Sequence, residues 1–411
     1  MKKTILSLIL TFLTILTTTT AQYAWKPTAS LPAIGRHHSA VFAIGDYLYL
    51  LTGASSDHQQ QYKDMWRYDI AANSWKQLKD FPGEARSYSA AFAINGKGYF
   101  GLGFNFKEKA DSNFTDWWEY TPETDSWAPK ATFPGEGRGH PAFFVLKNEG
   151  YIGCGDGATG DYKDFYKYNP INNVWTRVAD FGGVANHHPA FFTIDTLAYV
   201  CTGHDREVQV MLNTNYQYNP TTDKWTKKAD LPAIGRVGSI GFAINGTGFI
   251  GCGFDEVSTG EFYNDFYAYN PISDSWTTMP NFPDSNGSFA AISAVVGNTA
   301  YAGTGLNVKN ISNSYWFTFK LGSSSVIADN SDNSQQISIT PSPVNDILSM
   351  QWDGNYDTFE LRNAIGQLVY SQSVAGQSVL RLSTSGLAPG VYSARLTGST
   401  STVMSMVVIA R

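Results

Sequence analysis

The chain has 411 residues with 29 basic and 35 acidic side chains, a formal net charge of −6, so it offers no basic field for nucleic acid. Hydrophobic residues make up 43% and aromatics 14%, alongside 38 glycines, which excludes a disordered chain and suits tightly turned β structure.

Lys2 and Lys3 precede an apolar run from Ile5 to Leu16, a threonine stretch and Ala21, the pattern of a secretory signal peptide over residues 1–21. The run is too short to cross a bilayer as a helix, and no transmembrane segment is expected in the mature chain. Losing Lys2 and Lys3 leaves 27 basic against 35 acidic residues, a net charge of −8.

Trp25, Trp75, Trp127, Trp175, Trp225 and Trp276 are separated by 50, 52, 48, 50 and 51 residues. A fixed period of that size marks structural repeats. In the unit from Arg86 to Trp127, AAFAINGKGYFGLG predicts two strands joined by a turn at Asn95-Gly96, DWWEYTP a third, and the Trp127 segment a fourth. There are six sets of strands one to three, yet the last, ending at Tyr315-Trp316-Phe317, has no Trp-type fourth strand after it. The surplus fourth strand is AWKPTASLP at Trp25, so the N-terminal strand is expected to complete the last unit and leave no open sheet edge.

The units resemble the kelch repeat, whose paired glycines stand here as LTG at Leu51, GLG at Gly101, GCG at Gly153 and Gly251, CTG at Cys201 and GTG at Gly303. The resemblance implies an all-β fold, a six-bladed propeller over residues 22–322. It is silent on activity, because propellers host enzymes, binders and scaffolds alike. Cys154, Cys201 and Cys252 fall near the ends of second strands and read as buried thiols, with a Cys154 to Cys201 bridge left open.

Residues 323–336 are rich in Ser, Asn and Asp and read as a linker. Residues 337–411 then alternate as short strands with turns at Ile365-Gly366 and Pro389-Gly390, a small Ig-like β-sandwich. Its Pro-x-Pro opening, NAIGQLV, SGLAPGVYSARL and basic last residue resemble the C-terminal sorting domain of the type IX secretion system of Bacteroidetes. That resemblance implies partnership with the type IX machinery through residues 337–411, and a place outside a Gram-negative cell or on its outer-membrane surface. Ser342 stands where the family usually has Asn.

Strand alternation puts the loops before strand one and after strand two on one rim, and all seven histidines fall on or beside it: His37, His38, His58, His140, His187, His188 and His204. Five residues after the Leu or Phe that follows each repeat Trp stand Arg36, Arg86, Arg138, Asn186, Arg236 and Gly287, and two further on stand His38, Tyr88, His140, His188, Gly238 and Phe289. On one strand face, Arg36, His38, Arg86, Tyr88, Arg138, His140, His188 and Arg236 would form two stacked rings at the channel mouth. Such rings could hold a carboxylate, an acidic sugar or an acidic peptide. In the alternative, each arginine pairs with a carboxylate and ties blades together.

Asp64, Asp116, Asp164 and Asp265 are expected to bond turn backbone. The loops His204–Glu207 and Asp255-Glu256 are candidates for acid-base chemistry, and Tyr62, Phe104, Phe106, Tyr162 and Phe254 for stacking on sugar faces. Gly155-x-Gly157-x-x-Gly160 joins two strands with no helix to receive a pyrophosphate. No Tyr-His dipeptide of the copper radical oxidases occurs, and neither metal nor cofactor is expected. These features describe an exported binding module for a glycan or protein ligand. The alternatives are an epimerase or mutarotase on an acidic sugar, by analogy with the six-bladed kelch sialic acid epimerases, and a structural adhesin.

Overall fold

The structure is a computed structural model that describes residues 23–106, 113–321, 337–340, 344, 347–352, 355–363, 368–388, 390–399 and 402–409. The expected signal peptide and linker lie outside the described residues. Every described regular element is a strand.

Among the described residues of 23–321 there are six four-stranded antiparallel sheets. In the first, Ala40–Ile44, Tyr47–Leu51, Met65–Asp69 and Ser74–Gln77 follow one another from the axis outward. The innermost strands of the others are Ala90–Ile94, Ala142–Leu146, Ala190–Ile194, Ile240–Ile244 and Ile292–Val296, and each packs on the next until the last meets the first. The ring is therefore closed.

The hydrophobic core lies between the sheets. Phe42, Phe92 and Phe192 point from one sheet into the next, where Gly98, Gly150 and Gly248 leave room: a Cβ at these glycines would stand 2.0–2.4 Å from the incoming ring. These glycines end the hairpin phrases INGKG, KNEG and INGTG, so an unremarkable turn sequence encodes the sockets of inter-sheet packing.

Closure follows the expected route. The strand Tyr23–Thr28 pairs antiparallel with Trp316–Leu321, Trp25 opposite Phe319, and becomes the outer strand of the sheet that ends the ring. Trp25 packs on Phe319, Phe282 and Phe266 and donates its indole N–H to the carbonyl of Pro280 in the preceding sheet, 3.2 Å away. Trp75, Trp175, Trp225 and Trp276 make the equivalent bond to Ala29, Ala131, Ala179 and Ala229. All six repeat tryptophans are half-buried. The fully buried indoles of the ring are instead Trp117 and Trp316 on third strands.

Two circles of main-chain hydrogen bonds stitch the sheets together near the axis. In the first, the N–H groups of Gly53, Gly103, Gly155, Gly203, Gly253 and Gly305 donate to the carbonyls of Arg86, Arg138, Asn186, Arg236, Ser288 and Arg36 at 2.7–3.0 Å. These are the last glycines of the LTG, GLG, GCG, CTG and GTG phrases, and each has a left-handed φ between 83° and 116°. At Gly103 a Cβ would lie 2.4 Å from the Ser87 carbonyl, so only glycine fits.

The second circle is tighter. Tyr88 donates to His38, His140 to Tyr88, His188 to His140, Gly238 to His188, Ala290 to Gly238 and His38 to Ala290, at 2.9–3.3 Å. All six residues are left-handed, with φ between 51° and 64°. The sixth member is thus Ala290 and not Phe289: the last repeat carries one more residue before its inner strand than the spacing rule assumed.

The C-terminal unit has its own core. A three-stranded sheet of Ile337–Thr340, Ile347–Trp352 and Val379–Ser383 accompanies a four-stranded sheet in the order Leu368–Ser373, Thr358–Asn363, Gly390–Thr397 and Thr402–Ile409. Leu348, Met350, Trp352, Phe359, Leu361, Tyr392 and Leu396 are buried together between them. The turns expected at Ile365-Gly366 and Pro389-Gly390 include residues outside those described.

Candidate functional site

The expected double ring separates into two parts, because the residue two beyond each arginine is left-handed. An extended pair i, i+2 shares a face, but a positive φ turns the second side chain away from the first. The arginines point into the sheets while the residues of the second circle point to the axis.

Arg36, Arg86, Arg138 and Arg236 are at most 1% exposed, which overturns their expected role as a ligand-facing ring. Each grips one aspartate with both terminal nitrogens: Arg36 with Asp64 at 2.6 and 2.9 Å, Arg86 with Asp116 at 2.5 and 3.0 Å, Arg138 with Asp164 at 2.6 and 3.1 Å, and Arg236 with Asp265. Nη1 also donates to the carbonyl of Thr52, Leu102, Cys154 or Cys252, and Nε to that of Ile34, Glu84, Glu136 or Ile234. Tyr62, Phe114, Tyr162 and Tyr263 cover the guanidinium faces at 3.7–4.4 Å. The four aspartates are therefore carboxylate anchors for buried arginines and not turn residues. Each pair lies within one sheet, so it fixes that sheet's inner loops and does not bridge blades.

The other four expected residues do come together. His38, Tyr88, His140 and His188 crowd the axis, with ring centroids 3.5 Å apart for His140 and His188, 3.8 Å for Tyr88 and His140, and 3.9 Å for His38 and Tyr88. They line one end of an axial cavity of about 140 Å³ whose walls include Val41, Phe143, Phe191, Ile240 and Ile292. All seven histidines form one contiguous cluster, running from His58 through His37 to His38, on to His140 and His188, and out through His187 to His204.

Around the histidines sits a polar rim in which the expected His204, Arg206 and Glu256 are joined by Asp156 and Asp161, which the sequence did not single out. Asp156 accepts from His140 Nδ1 at 2.5 Å and from Arg206 Nη2 at 2.9 Å. Asp161 accepts from His187 Nδ1 at 3.1 Å and from the main chain of Arg206 at 3.0 Å. Glu256 lies 2.5 Å from His204 Nδ1 and 3.6 Å from His187 Nε2. Asp156 and Asp161 belong to a short hairpin, Asp156–Gly157 paired with Gly160–Asp161, which is what the Gly155-x-Gly157-x-x-Gly160 phrase forms. Asp205 and Asp255 cap the turns of their own loops. Of the expected stacking aromatics, Tyr62 and Tyr162 cover arginines, Phe104 stacks on Tyr88, and Phe254 packs on Phe262. Phe106 stays exposed beside His58.

Burial sets the charge states. It lowers the pKa of His37 to about 3, and with the neighbouring imidazoles it drives His38 and His188 far below the ordinary histidine range. It also lowers His140, against the pull of Asp156. For His187 burial again pushes down, but hydrogen bonds to Asp161 and Glu256 outweigh it and hold the pKa up at about 9. Burial pushes the Asp156 carboxyl up, and contacts with His140 and Arg206 more than reverse this, so it stays ionised.

A pH dependence follows, in chelator-containing buffer. Unfolded histidine titrates near 6.5, so below that pH the unfolded chain binds protons that folded His37, His38 and His188 refuse, and stability falls with the pH. With a folded pKa of about 3, His37 alone costs about 2 kcal/mol at pH 5. His187 acts in the opposite sense, its contribution being complete below 6.5 and lost as the pH rises through 9. Denaturant unfolding across this range should show maximal stability between those limits; equal stability at pH 7 and pH 5 would contradict it.

Cys154, Cys201 and Cys252 are buried free thiols, which removes the Cys154 to Cys201 bridge. Two groups present metal-ligand atoms within 4.8 Å of one another: His38, His140 and His188, and separately His187, His204 and Glu256.

Comparison with known proteins agrees with this architecture. Residues 10–188 match the family described as the KLHDC2/KLHL20/DRC7 Kelch-repeats domain, and the closed ring of sheets is an all-β propeller fold. Residues 338–410 match the Secretion system C-terminal sorting domain, so the propeller is joined to a secretion-sorting tail. Among solved structures, "Structure of YjhT" superposes with a TM-score of 0.62 over 75% of this chain and 99% of that one, at 15% identity, a likeness of fold alone. No curated protein matches the chain. Among the described residues no helix is long and apolar enough to cross a membrane.

Proposed function

We propose that the protein is an exported binding module whose propeller takes a glycan or protein ligand on its histidine-bearing rim. Residues 1–21 direct it to export, residues 22–322 bind, residues 323–336 link, and residues 337–411 engage the type IX machinery, which delivers it to the outer-membrane surface or beyond. The observation that carries the reading is one rim that combines the exposed Phe106 ring with Arg206 and Glu256, both partly exposed and both held by buried partners. An aromatic face and fixed donors and acceptors on the same rim match the alternating apolar and hydroxyl faces of a sugar, and favour a glycan. Calorimetric titration of the mature chain with neutral and acidic glycans tests this. Binding should weaken in Arg206→Ala and in Phe106→Ala, whereas identical titrations of wild type and both variants would dismiss the site.

A second reading, an epimerase or mutarotase on an acidic sugar, is favoured by protonated His187 facing Glu256, an acid beside a base. Its acidic substrate would meet Arg206, since the four ring arginines are enclosed. Turnover of an acidic sugar that His187→Gln abolishes would select it. An adhesin with no small-ligand site would leave every rim variant indistinguishable from wild type.

A further inference from the structure

We propose that His38, His140 and His188 form a binding site for one divalent ion of the zinc class at the axial throat, a site that does not depend on the glycan reading. Their ligand atoms lie within 4.8 Å of one another, and Nε2 of His38 stands 2.7 Å from Nε2 of His188. Two imidazole nitrogens sharing a tetrahedral zinc at about 2.0–2.1 Å sit roughly 3.3 Å apart. The rings need to part by only a few tenths of an ångström.

The hydrogen bonds around His38 and His140 leave a lone pair where a metal requires it, whereas His188 Nε2 donates to the His38 lone pair at 2.7 Å and must give up that proton for the metal. His37 Nε2 donates to the Ser55 carbonyl at 3.0 Å, which leaves its Nδ1 as an acceptor for His38 Nδ1–H. The lone pair of His38 is then on Nε2. His140 donates from Nδ1 to Asp156, which puts its lone pair on Nε2 as well. That nitrogen is buried and has no hydrogen-bond partner among the described residues, an acceptor left bare among imidazoles. A carboxylate behind a ligand histidine, itself held by Arg206, is the outer-shell arrangement that orients metal ligands and raises their basicity.

Chemistry and access agree. The ligand form of histidine is the neutral imidazole with a bare ring nitrogen, which the hydrogen bonds of His38 and His140 supply. The same rings line the axial cavity of about 140 Å³, so a fourth position can be filled by water or by a small ligand. In the other group, Glu256 takes a hydrogen bond from His204 and His187 lies between Asp161 and Glu256, so only His204 Nε2 is left bare there and two of the three members are already engaged.

The mature full-length chain, stripped with chelator, is titrated with zinc sulfate by calorimetry, and in parallel with cobalt(II) for its visible spectrum. One zinc per chain and the intense d–d bands of four-coordinate cobalt are expected. His140→Gln should abolish both, and Asp156→Asn should weaken zinc binding by about 10–100-fold. Substoichiometric zinc, or cobalt with only six-coordinate absorption, overturns the site, as does loss of binding in Glu256→Gln with retention in His140→Gln. Should His140→Gln fail to fold, the wild-type cobalt spectrum decides alone.

Discussion

Alanine at Arg138 lowers the unfolding free energy by about 3–5 kcal/mol, the cost of removing one partner of a buried ion pair. The guanidinium is fully enclosed and bonded to Asp164, to two carbonyls and to the face of Tyr162. Its loss leaves the Asp164 carboxylate and the Cys154 and Glu136 carbonyls short of donors. Lysine does not rescue, because a single ammonium cannot reproduce the two-pronged grip. Replacing both partners by apolar residues, Arg138→Met with Asp164→Leu, should recover much of the loss, since the penalty lies in the orphaned charge. Guanidinium unfolding monitored by tryptophan fluorescence measures all three. A midpoint in Arg138→Ala equal to wild type would mean that the pair contributes nothing and that the arginine is held for another reason.

Trp25→Ala should cost about 2–4 kcal/mol, below the range for a wholly buried tryptophan because the ring is only half-buried. Its distinguishing effect is local. Trp175→Ala removes a similar indole and a similar bond to a neighbouring carbonyl, but its strand is joined at both ends to the rest of the ring. The strand Tyr23–Thr28 is held by its pairing with Trp316–Leu321, by Trp25, by Tyr23 against Phe249 and Phe319, and by Thr28 bonded to Tyr68 and Asn73. Of these contacts those of Trp25 are the most numerous. In Trp25→Ala it can detach while the other sheets persist, so amide exchange should accelerate in Trp316–Leu321 well before global unfolding. In Trp175→Ala, exchange there should follow the global transition. Uniform exchange in both variants would show that the closing strand is no weaker than the rest.

The fold was legible because its signals are local and repeated. Tryptophans near a 50-residue spacing, turn dipeptides and short apolar runs each speak for a few residues, and the surplus strand at Trp25 could be assigned by counting. The site was legible in type but not in direction. His38, Tyr88, His140 and His188 were picked out correctly as converging residues, whereas the arginines beside them were given the same facing by the two-residue rule for strands. That rule fails at a left-handed residue, and nothing in RHHS, RSYS or RGHP marks a positive φ, because histidine and tyrosine do not advertise it as glycine does. The pairing of Arg36 with Asp64 was hidden for a different reason: the partners are 28 residues apart and meet only once the third strand has folded back. Asp156, Asp161, His204 and Glu256 come from loops of successive sheets, whose approach depends on the curvature of the ring and not on any spacing within a repeat.

The inner circle of peptide hydrogen bonds has one more consequence. Because His38, Tyr88, His140, His188, Gly238 and Ala290 hold the sheets together through main-chain atoms, the architecture does not consult their side chains. The throat works like a wheel with six spokes joined through the main chain, whose rim stays in place while the chemistry at the hub is rewritten by point substitution. One spoke is constrained: at Gly238 the ring of Phe289 stands 2.5 Å from where a Cβ would be. Lineages sharing this scaffold can therefore drift apart in what they recognise without passing through an unfolded ancestor, and likeness of backbone between two such proteins carries little news of what either one holds.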